Sequence, residues 1–273
     1  MGLLTQWVAY GDQKRYTGYL ARQERAETPL PAVIVVQEIW GVDAHIRDVT
    51  ERFARAGFAA FAPDLYADDG VRPEELSDER IEAFKRFRDR LPPQVWQNEQ
   101  ARNAELDKLP EEEREIIGAT HRRLFGGMAR HMPAYAEKLA AAARFLREEC
   151  DASRGSKVGV VGFCMGGALA GQLACRDREL SGAVIFYGDA PQREQLAHIV
   201  CPVLGFYGAL DGRITAQVPA FSEAMKEFGK SFEYRIYEGA PHAFFNDTRS
   251  SYHARASRDA FARTLGFLNE CLG

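Results

Sequence analysis

Short, continuous runs of apolar residues recur along the chain, separated by stretches in which apolar positions repeat with a helical period. The runs are rich in Val, Ile, Phe and Tyr, which is typical of strands buried on both faces of a parallel sheet. They are Ala32–Ile39, Phe58–Pro63, Lys157–Phe163, Leu180–Tyr187, Val203–Tyr207 and Phe232–Tyr237. This pattern predicts a mostly parallel sheet with helices on both faces.

The stretch between the first two runs predicts a helix over Ala44–Ala56. Ile46, Val49 and Phe53 share one face at helical spacing, and Gly57 follows as a stop signal. A helix between two buried strands makes a βαβ unit, which is right-handed by default. The predicted fold class is therefore α/β.

Both ends of the chain extend this plan. Gln6–Tyr10 and Arg15–Ala21 are joined through Gly11 and Asp12, and they predict an antiparallel hairpin at the edge of the sheet. At the other end, Tyr252–Leu272 places its large apolar residues on one face. We expect this stretch to form a final helix that packs on the sheet.

A segment rich in charged residues, Val71–Ile117, interrupts this rhythm within a longer stretch over about 68–130. Its apolar residues keep a helical spacing, which argues against a disordered linker. These residues are Ile81, Phe84, Phe87 and Leu91, and the pattern is broken at Pro92, Pro93 and Pro110. We expect one α/β domain over 1–273 with a helical insertion, which is either a cap above an active site or a solvated excursion.

Composition and charge narrow the functional classes. The chain has 273 residues, 46% of them hydrophobic and 27% charged, so it can bury a large core. A net charge of −4 argues against a broad nucleic-acid-binding surface.

No apolar run approaches the roughly 18–20 residues of a membrane helix, and no signal peptide is evident. Five cysteines without metal-ligand spacing indicate reduced thiols. We expect a cytoplasmic protein without nucleic-acid or membrane partners, and its oligomeric state is left open.

The most informative motif is Gly162-Phe163-Cys164-Met165-Gly166, between a predicted strand and a predicted helix. It has the form of a nucleophile elbow, Gly-x-nucleophile-x-Gly, with cysteine as the nucleophile. The two glycines allow a turn that is too sharp for side chains at their positions. The helix N-terminus would then stabilise a thiolate or an oxyanion. The alternative is an inert cysteine that is buried in a tight turn.

A cysteine nucleophile needs a base, and the base needs a group that orients it. Asp211 and His242 each follow a predicted strand, so both are expected at the sheet edge that carries Cys164. The chain order nucleophile, acid, base is that of elbow-type hydrolases. Asp189, after the strand that ends at Tyr187, is an alternative to Asp211. The non-catalytic interpretations are a turn-forming aspartate and a surface histidine.

Four stretches, taken in order, resemble the signature stretches of the dienelactone hydrolases, which are also called carboxymethylenebutenolidases. They are Val36–Val42, Ala62–Tyr66, Gly162–Gly167 and His242–Phe244. The resemblance covers most of the chain, and only the segment over about 68–130 is longer than the family needs. It implies an α/β-hydrolase fold.

The resemblance also implies roles for individual residues. Cys164, Asp211 and His242 would form the catalytic triad, and the backbone N–H groups of Ile39 and Met165 would form the oxyanion hole. The Met165 donor follows independently from the elbow, because the residue after the nucleophile supplies a donor in this fold.

Glu38 matches a glutamate that, in the family, contacts the resting thiol and moves aside when substrate binds. A nearby carboxylate disfavours a thiolate, so such a contact would suppress reactivity until substrate arrives. The alternative is a structural carboxylate that is paired with the helical insertion.

Substrate recognition is where the sequence departs from the family. Members that act on dienelactone hold its carboxylate with arginines, one of them four residues after the catalytic histidine, and Asn246 stands there. An amide lacks the charged fork of a guanidinium, which argues against dienelactone as the natural substrate. Candidates for the substrate pocket are Trp40, Tyr66, Phe244 and Asn246, and the aromatic members are equally typical of plain core.

The sequence therefore predicts a cysteine-dependent hydrolase of carboxylic esters or lactones that works through an acyl-cysteine intermediate. A small-molecule ester or lactone is the expected partner, and this chemistry requires no metal or organic cofactor. Two alternatives remain open. One is a non-catalytic protein of the same fold that binds a small molecule, and the other is a thiol redox sensor that uses Cys164.

Overall fold

The structure, a computed structural model, describes residues 2–92, 95–96 and 98–273. The chain divides into two compact units, one formed by Met1–Leu65 with Ala134–Gly273 and the other by Tyr66–Pro133. The first unit contains the sheet, and the second is helical. The second unit corresponds closely to the predicted insertion at about 68–130, and its role as a cap stays a prediction.

Eight strands form one sheet in the order β1-β2-β4-β3-β5-β6-β7-β8. The strands are β1 (Leu3–Tyr10), β2 (Tyr16–Gln23), β3 (Ala32–Val36), β4 (Ala59–Pro63), β5 (Val158–Phe163), β6 (Gly182–Phe186), β7 (Val203–Gly208) and β8 (Phe232–Tyr237). β2 pairs antiparallel with β1 and β4, and all other neighbours are parallel. The predicted mostly parallel sheet and its edge hairpin are confirmed.

Nine helices have their bounds within the described residues. They are α1 (Ala44–Arg55), α2 (Asp78–Asp89), α3 (Glu99–Leu106), α4 (Glu111–Phe125), α5 (Met128–Glu148), α6 (Met165–Arg176), α7 (Gly212–Thr215), α8 (Val218–Glu227) and α9 (Ala254–Leu272). Short 3-10 turns occupy Asp12–Lys14, Glu74–Leu76 and Arg193–His198. The predicted first and last helices are α1 and α9. None of the described helices combines the length and apolarity that a membrane span requires.

Helices of the first unit cover both faces of the sheet. On one face α1 meets α9, where the ring centroids of Phe53 and Phe261 lie 5.4 Å apart. On the other face Phe61 of β4 packs against Phe145 of α5 at 5.5 Å and against Tyr10 at 5.2 Å. Because both faces are covered, the central strands are buried along their whole length.

Two strands end earlier than their apolar runs predict. β3 ends at Val36 rather than Ile39, and β6 ends at Phe186 rather than Tyr187. Gln37 leaves the ladder, and its side-chain oxygen accepts a backbone hydrogen bond instead. Tyr187 has a φ of 39°, outside the strand region. The residues beyond each strand remain buried, so hydrophobicity alone does not mark where the strand stops.

The second unit has an aromatic core of its own. Ile81, Phe84 and Phe87 of α2 are buried, as their helical spacing predicts. The ring of Phe84 lies 5.5 Å from that of Trp96 and 5.9 Å from that of His121. Pro110 stands at the N-cap of α4, whereas Pro93 of the other predicted break lies outside the described residues.

Ile34 in β3 is 0% exposed, so truncating it tests whether this strand is in the centre of the core. We expect Ile34→Ala to lower the free energy of unfolding by about 2–5 kcal/mol, since buried methyl groups are lost and a cavity remains. Leu4→Ala on the edge strand β1 is the control, because Leu4 is 43% exposed, and we expect less than ~1 kcal/mol. Urea unfolding followed by circular dichroism measures both, and equal losses would contradict the central position of β3.

Candidate active site

The turn at Cys164 joins the centre of the sheet to a helix in one residue. β5 ends at Phe163, α6 begins at Met165, and Cys164 between them has φ 55° and ψ −117°. A Cβ added at Gly162 would lie 1.9 Å from the carbonyl oxygen of Gly166, and one added at Gly166 would lie 2.4 Å from that of Val36. No side chain fits at either position, so the two glycines are required by the turn.

The structure brings together the three residues that the sequence singles out. Nε2 of His242 lies 3.2 Å from Sγ of Cys164, and Nδ1 of the same ring lies 2.5 Å from Oδ2 of Asp211. Asp211 follows β7 and His242 follows β8, so both reach Cys164 from the carboxyl ends of the strands. Thiol, imidazole and carboxylate therefore form one continuous chain of contacts.

The charges around His242 favour its protonated form. Burial alone would lower the pKa of His242. The negative charge of Cys164 and the hydrogen bond to Asp211 outweigh burial, and together they raise the pKa to about 10. The imidazole is therefore set to hold a proton at neutral pH.

Asp189, the alternative acid, is occupied elsewhere. Its Oδ1 lies 2.7 Å from Nη1 of Arg213 and 3.0 Å from Nε2 of Gln217, and its Oδ2 lies 3.3 Å from Nη2 of Arg213. The hydrogen-bonded carboxylate of His242 is that of Asp211. The geometry thus favours Asp211 over Asp189 as the acid of the triad.

Three residues with side chains have a positive φ in the segments that follow β5, β6 and β8. They are Cys164 at φ 55°, Tyr187 at φ 39° and Ala243 at φ 58°. Such conformations cost on the order of 1–3 kcal/mol each and cluster at functional sites. Tyr187 also packs its ring edge-on to His242, with centroids 5.1 Å apart.

Glu38 is 2% exposed, and two donors from distant parts of the chain hold its carboxylate. The hydroxyl of Tyr187 donates to Oε1 at 3.1 Å, and the amide of Asn246 donates to Oε2 at 2.7 Å. The thiol of Cys164 is instead hydrogen-bonded to His242. Within the described residues the hydrogen-bond partners of the Glu38 carboxylate are thus Tyr187 and Asn246, and the regulation of the thiol by Glu38 that the resemblance implies stays a prediction.

The candidate oxyanion donors lie on either side of a close backbone contact. A Cβ at Gly166 would lie 2.4 Å from the carbonyl oxygen of Gln37 as well, so the N-terminus of α6 touches the loop that carries Ile39. Met165 is the first residue of α6, where N–H groups have no acceptor within the helix. The roles of Met165 and Ile39 stay predictions.

The four pocket candidates differ in their surroundings. Trp40 is 5% exposed, and the Arg249 guanidinium lies over its ring at 5.1 Å. Phe244 is 0% exposed, and its ring centroid lies 5.4 Å from that of Tyr187, so it belongs to the core beneath the site. Asn246, 1% exposed, supports Glu38. Tyr66 is buried in the second unit.

Tyr187 is the site residue that the sequence reasoning missed. It stands at the end of an apolar run, where a buried tyrosine carries no distinguishing signal. The sequence predicts Asn246 as a candidate for the substrate pocket, and in the structure its side-chain amide donates a hydrogen bond to Glu38.

Within the described residues, no group of three or more His, Cys, Asp or Glu side chains is arranged to hold a metal ion.

Comparison with known proteins identifies relatives over nearly the whole chain. Residues 16–272 match the dienelactone hydrolase family. A Saccharolobus solfataricus protein named "Putative carboxymethylenebutenolidase" is 32% identical over 245 residues, which are 89% of this chain and 90% of that protein. A protein of the same name from Escherichia coli O157:H7 is 29% identical and covers 92% of this chain and 81% of its own length.

A solved structure gives the same result in three dimensions. The crystal structure titled "Putative Dienelactone Hydrolase", from Klebsiella pneumoniae subsp. pneumoniae, superposes with a TM-score of 0.71 at 26% identity. It covers 99% of this chain and 100% of its own. The predicted α/β-hydrolase fold and the resemblance read from the four signature stretches are thereby confirmed.

Asp211→Asn tests whether this carboxylate supports the charge on His242. Because the pKa of His242 is raised to about 10, we expect the imidazolium to persist at neutral pH in the native protein and to be lost as the pH rises through about 10. Without the Asp211 carboxylate this loss shifts to lower pH, so we expect alkylation of Cys164 by iodoacetamide at neutral pH to slow by at least about tenfold. Asp189→Asn is the matched control and should change the rate little. Mass spectrometry of the Cys164 peptide gives the rates, and equal effects of the two variants would contradict the assignment.

Tyr187→Phe tests the support of Glu38. The change keeps the ring and removes one donor from a buried carboxylate, so we expect a loss of about 1–3 kcal/mol in the free energy of unfolding. Tyr207→Phe is the control, because within the described residues the buried hydroxyl of Tyr207 has no hydrogen-bond partner. Its removal should be neutral or slightly stabilising. The two variants are compared by urea denaturation, and a neutral Tyr187→Phe would show that the hydrogen bond to Glu38 contributes nothing.

Proposed function

Because this chain belongs to the dienelactone hydrolase family, we propose that it hydrolyses carboxylic esters or lactones through an acyl-cysteine intermediate on Cys164. The observation that carries the proposal is the chain of contacts from Asp211 through His242 to Cys164, at 2.5 and 3.2 Å. The raised pKa of His242 supports it, because a protonated imidazole beside the sulfur favours the thiolate.

The first step is attack of the thiolate on the acyl carbon. A bond forms between Sγ of Cys164 and that carbon, and the carbonyl π electrons move to the oxygen. Collapse of this tetrahedral species breaks the bond to the alkoxide oxygen, and the proton on Nε2 of His242 passes to the leaving alcohol. For a lactone the leaving alkoxide stays attached to the acyl group, because both belong to one ring.

The developing oxyanion needs donors at the position where the negative charge appears. We assign this role to the backbone N–H groups of Met165 and Ile39, which the contact at Gly166 brings to the same part of the site. Donors of this kind contribute roughly 3 kcal/mol each to transition-state stabilisation. The N-terminus of α6 adds a favourable dipole.

The second step is hydrolysis of the thioester. His242, now neutral, accepts a proton from a water molecule, whose oxygen attacks the acyl carbon. The bond to Sγ then breaks, and the acid is released with the proton balance restored. Asp211 fixes the ring orientation and stabilises the imidazolium in both steps.

Glu38 acts on the thiol through its charge. Tyr187 connects the two groups, because its hydroxyl donates to Glu38 at 3.1 Å and its ring packs against that of His242, which contacts Cys164. Burial raises the pKa of Tyr187, and the negative charges of Glu38 and Cys164 raise it further. A carboxylate at that place disfavours the thiolate. We infer that Glu38 moderates the reactivity of Cys164 from the position in which Tyr187 and Asn246 hold it.

The two alternative functions lack a specific observation in their favour. A disulfide between Cys164 and Cys175 is not favoured, because Cys175 lies near the opposite end of α6, a helix of 12 residues and so roughly 18 Å long, and a redox role would therefore use a sulfenic acid or another partner. Cys175 is buried, and burial raises its pKa to about 11. A protein that only binds a small molecule would not require the hydrogen bonds among Cys164, His242 and Asp211.

Cys164→Ala tests the proposal with p-nitrophenyl acetate as substrate in stopped-flow measurements. We expect a burst of nitrophenol in the native protein, because acylation frees one equivalent before deacylation, and a fall in turnover by a factor of at least about 10³ in Cys164→Ala. Cys175→Ala is the control and should keep the burst. An acyl adduct on Cys164 in quenched samples identifies the intermediate. Equal activity of the native protein and Cys164→Ala, or turnover by neither, would contradict the proposal.

A further inference from the structure

β8 lies at one end of the sheet, and among the described residues only β7 pairs with it. The carbonyl oxygens of Ser231 and Tyr237 accept hydrogen bonds, each at 3.0 Å, from the N–H groups of Val203 in β7 and of Ala209 directly after it. Because a parallel ladder alternates with a period of two, Glu233 and Arg235 also direct their backbone groups towards β7. The residues whose N–H and C=O groups point away from the sheet are Phe232, Tyr234 and Ile236.

This edge lacks most of the features that usually protect a strand from pairing. β8, FEYRIY, contains no proline and no glycine, and all six of its residues are in regular register with β7. Its central residues, Glu233, Tyr234 and Arg235, are exposed, and Tyr234 is 41% exposed. Charged side chains can protect an edge, but here two opposite charges flank one tyrosine.

The two charges suit one particular register of a strand that pairs with a copy of itself. An antiparallel pair with its two-fold axis at Tyr234 sets Glu233 opposite Arg235 of the second copy, and the same contact occurs twice. Axes at Glu233 or at Arg235 instead set like charges opposite each other, which is destabilising. In the favoured register the outward-pointing residues face outward-pointing residues, as an antiparallel ladder requires.

Both charged side chains are available for such a contact. Within the described residues Glu233 makes no hydrogen bond or ion pair. Arg235 lies 3.5 Å from Oδ2 of Asp259, and the same oxygen is bound more closely by Arg263 and Tyr237, each at 2.8 Å. Asp259 would therefore keep its closer partners if Arg235 turned towards a second copy.

The opposite face of β8 offers an aromatic surface in the same register. The rings of Phe232 and Tyr234 are stacked with centroids 5.5 Å apart, and Phe232 packs on Phe221 of α8 at 4.3 Å. A two-fold axis at Tyr234 places the two exposed tyrosines opposite each other and sets Phe232 opposite Ile236 of the second copy. Aromatic and β-branched pairs of this kind stabilise antiparallel strands.

We propose that the β8 edge is the interface of a homodimer, in which two copies pair antiparallel about Tyr234 and join their sheets into one of sixteen strands. The partner is a second copy of this chain, since the charge pattern is complementary to itself. This dimer does not depend on the proposed catalytic role of Cys164.

Light scattering coupled to size-exclusion chromatography tests the proposal on the full chain. We expect a mass of twice 30.6 kDa for the native protein. Glu233→Arg and Arg235→Glu each set like charges opposite each other, so each variant should elute as a monomer. The double variant, Glu233→Arg with Arg235→Glu, restores opposite charges and should be a dimer again. A mixture of the two single variants should form a heterodimer, which a merely unfolded variant could not do.

Two further variants separate this edge from the rest of the surface. Tyr234→Pro removes an outward N–H without breaking the ladder to β7, so it should yield a folded monomer by circular dichroism. Gln6→Arg, on the exposed edge strand β1 at the other end of the sheet, should leave the dimer intact. A native protein that is monomeric at every concentration, or a dimer that withstands Glu233→Arg and Tyr234→Pro, would overturn the proposal.

Discussion

The backbone turn at Cys164 is the constraint on which the rest of the site depends. A cysteine at φ 55° is strained, and the surrounding structure has to hold it there. The carbonyl oxygen of Cys164 accepts hydrogen bonds from the N–H groups of Gly167 at 2.9 Å and Ala168 at 3.2 Å, which anchor the start of α6. Close backbone contacts at Gly162 and Gly166 complete the turn. The same geometry that lifts the sulfur out of the sheet thus aims it at His242 and sets it at the N-terminus of α6.

The convergence of the triad follows from topology. β5, β7 and β8 run parallel, so the residues that follow them, Cys164, Asp211 and the loop of His242, meet at one edge. This is why spacing and order along the chain predict that the three residues meet, while their catalytic roles stay a proposal. The choice between Asp189 and Asp211 depends on something that no sequence pattern shows, namely that Arg213 and Gln217 already hold Asp189.

The strands were predictable because a buried parallel strand is apolar along its whole length. The ends of β3 and β6 could not be predicted in this way, because Ile39 and Tyr187 remain buried although both strands end before them. The hydrogen-bond partners of Glu38 could not be predicted from the sequence either, because Asn246 lies 208 residues away from it along the chain and Tyr187 lies 149 residues away. Contacts of this range are decided by the packing of loops, and neither periodicity nor composition encodes them.

The position of Asn246 changes the charge balance of the site. A buried carboxylate requires hydrogen bonds, and Tyr187 and Asn246 supply them to Glu38 without a counter-charge. An arginine at position 246, as in family members that act on dienelactone, would offer a positive charge instead. With neutral donors the charge of Glu38 is not balanced, within the described part of the chain, by a hydrogen-bonded cation. Under the proposed function a thiolate on Cys164 would then depend for its balancing charge on His242, whose pKa is raised by Cys164 and by the hydrogen bond to Asp211. In that mechanism the reactivity of Cys164 should depend on Asp211 more strongly than it would with a cation at position 246.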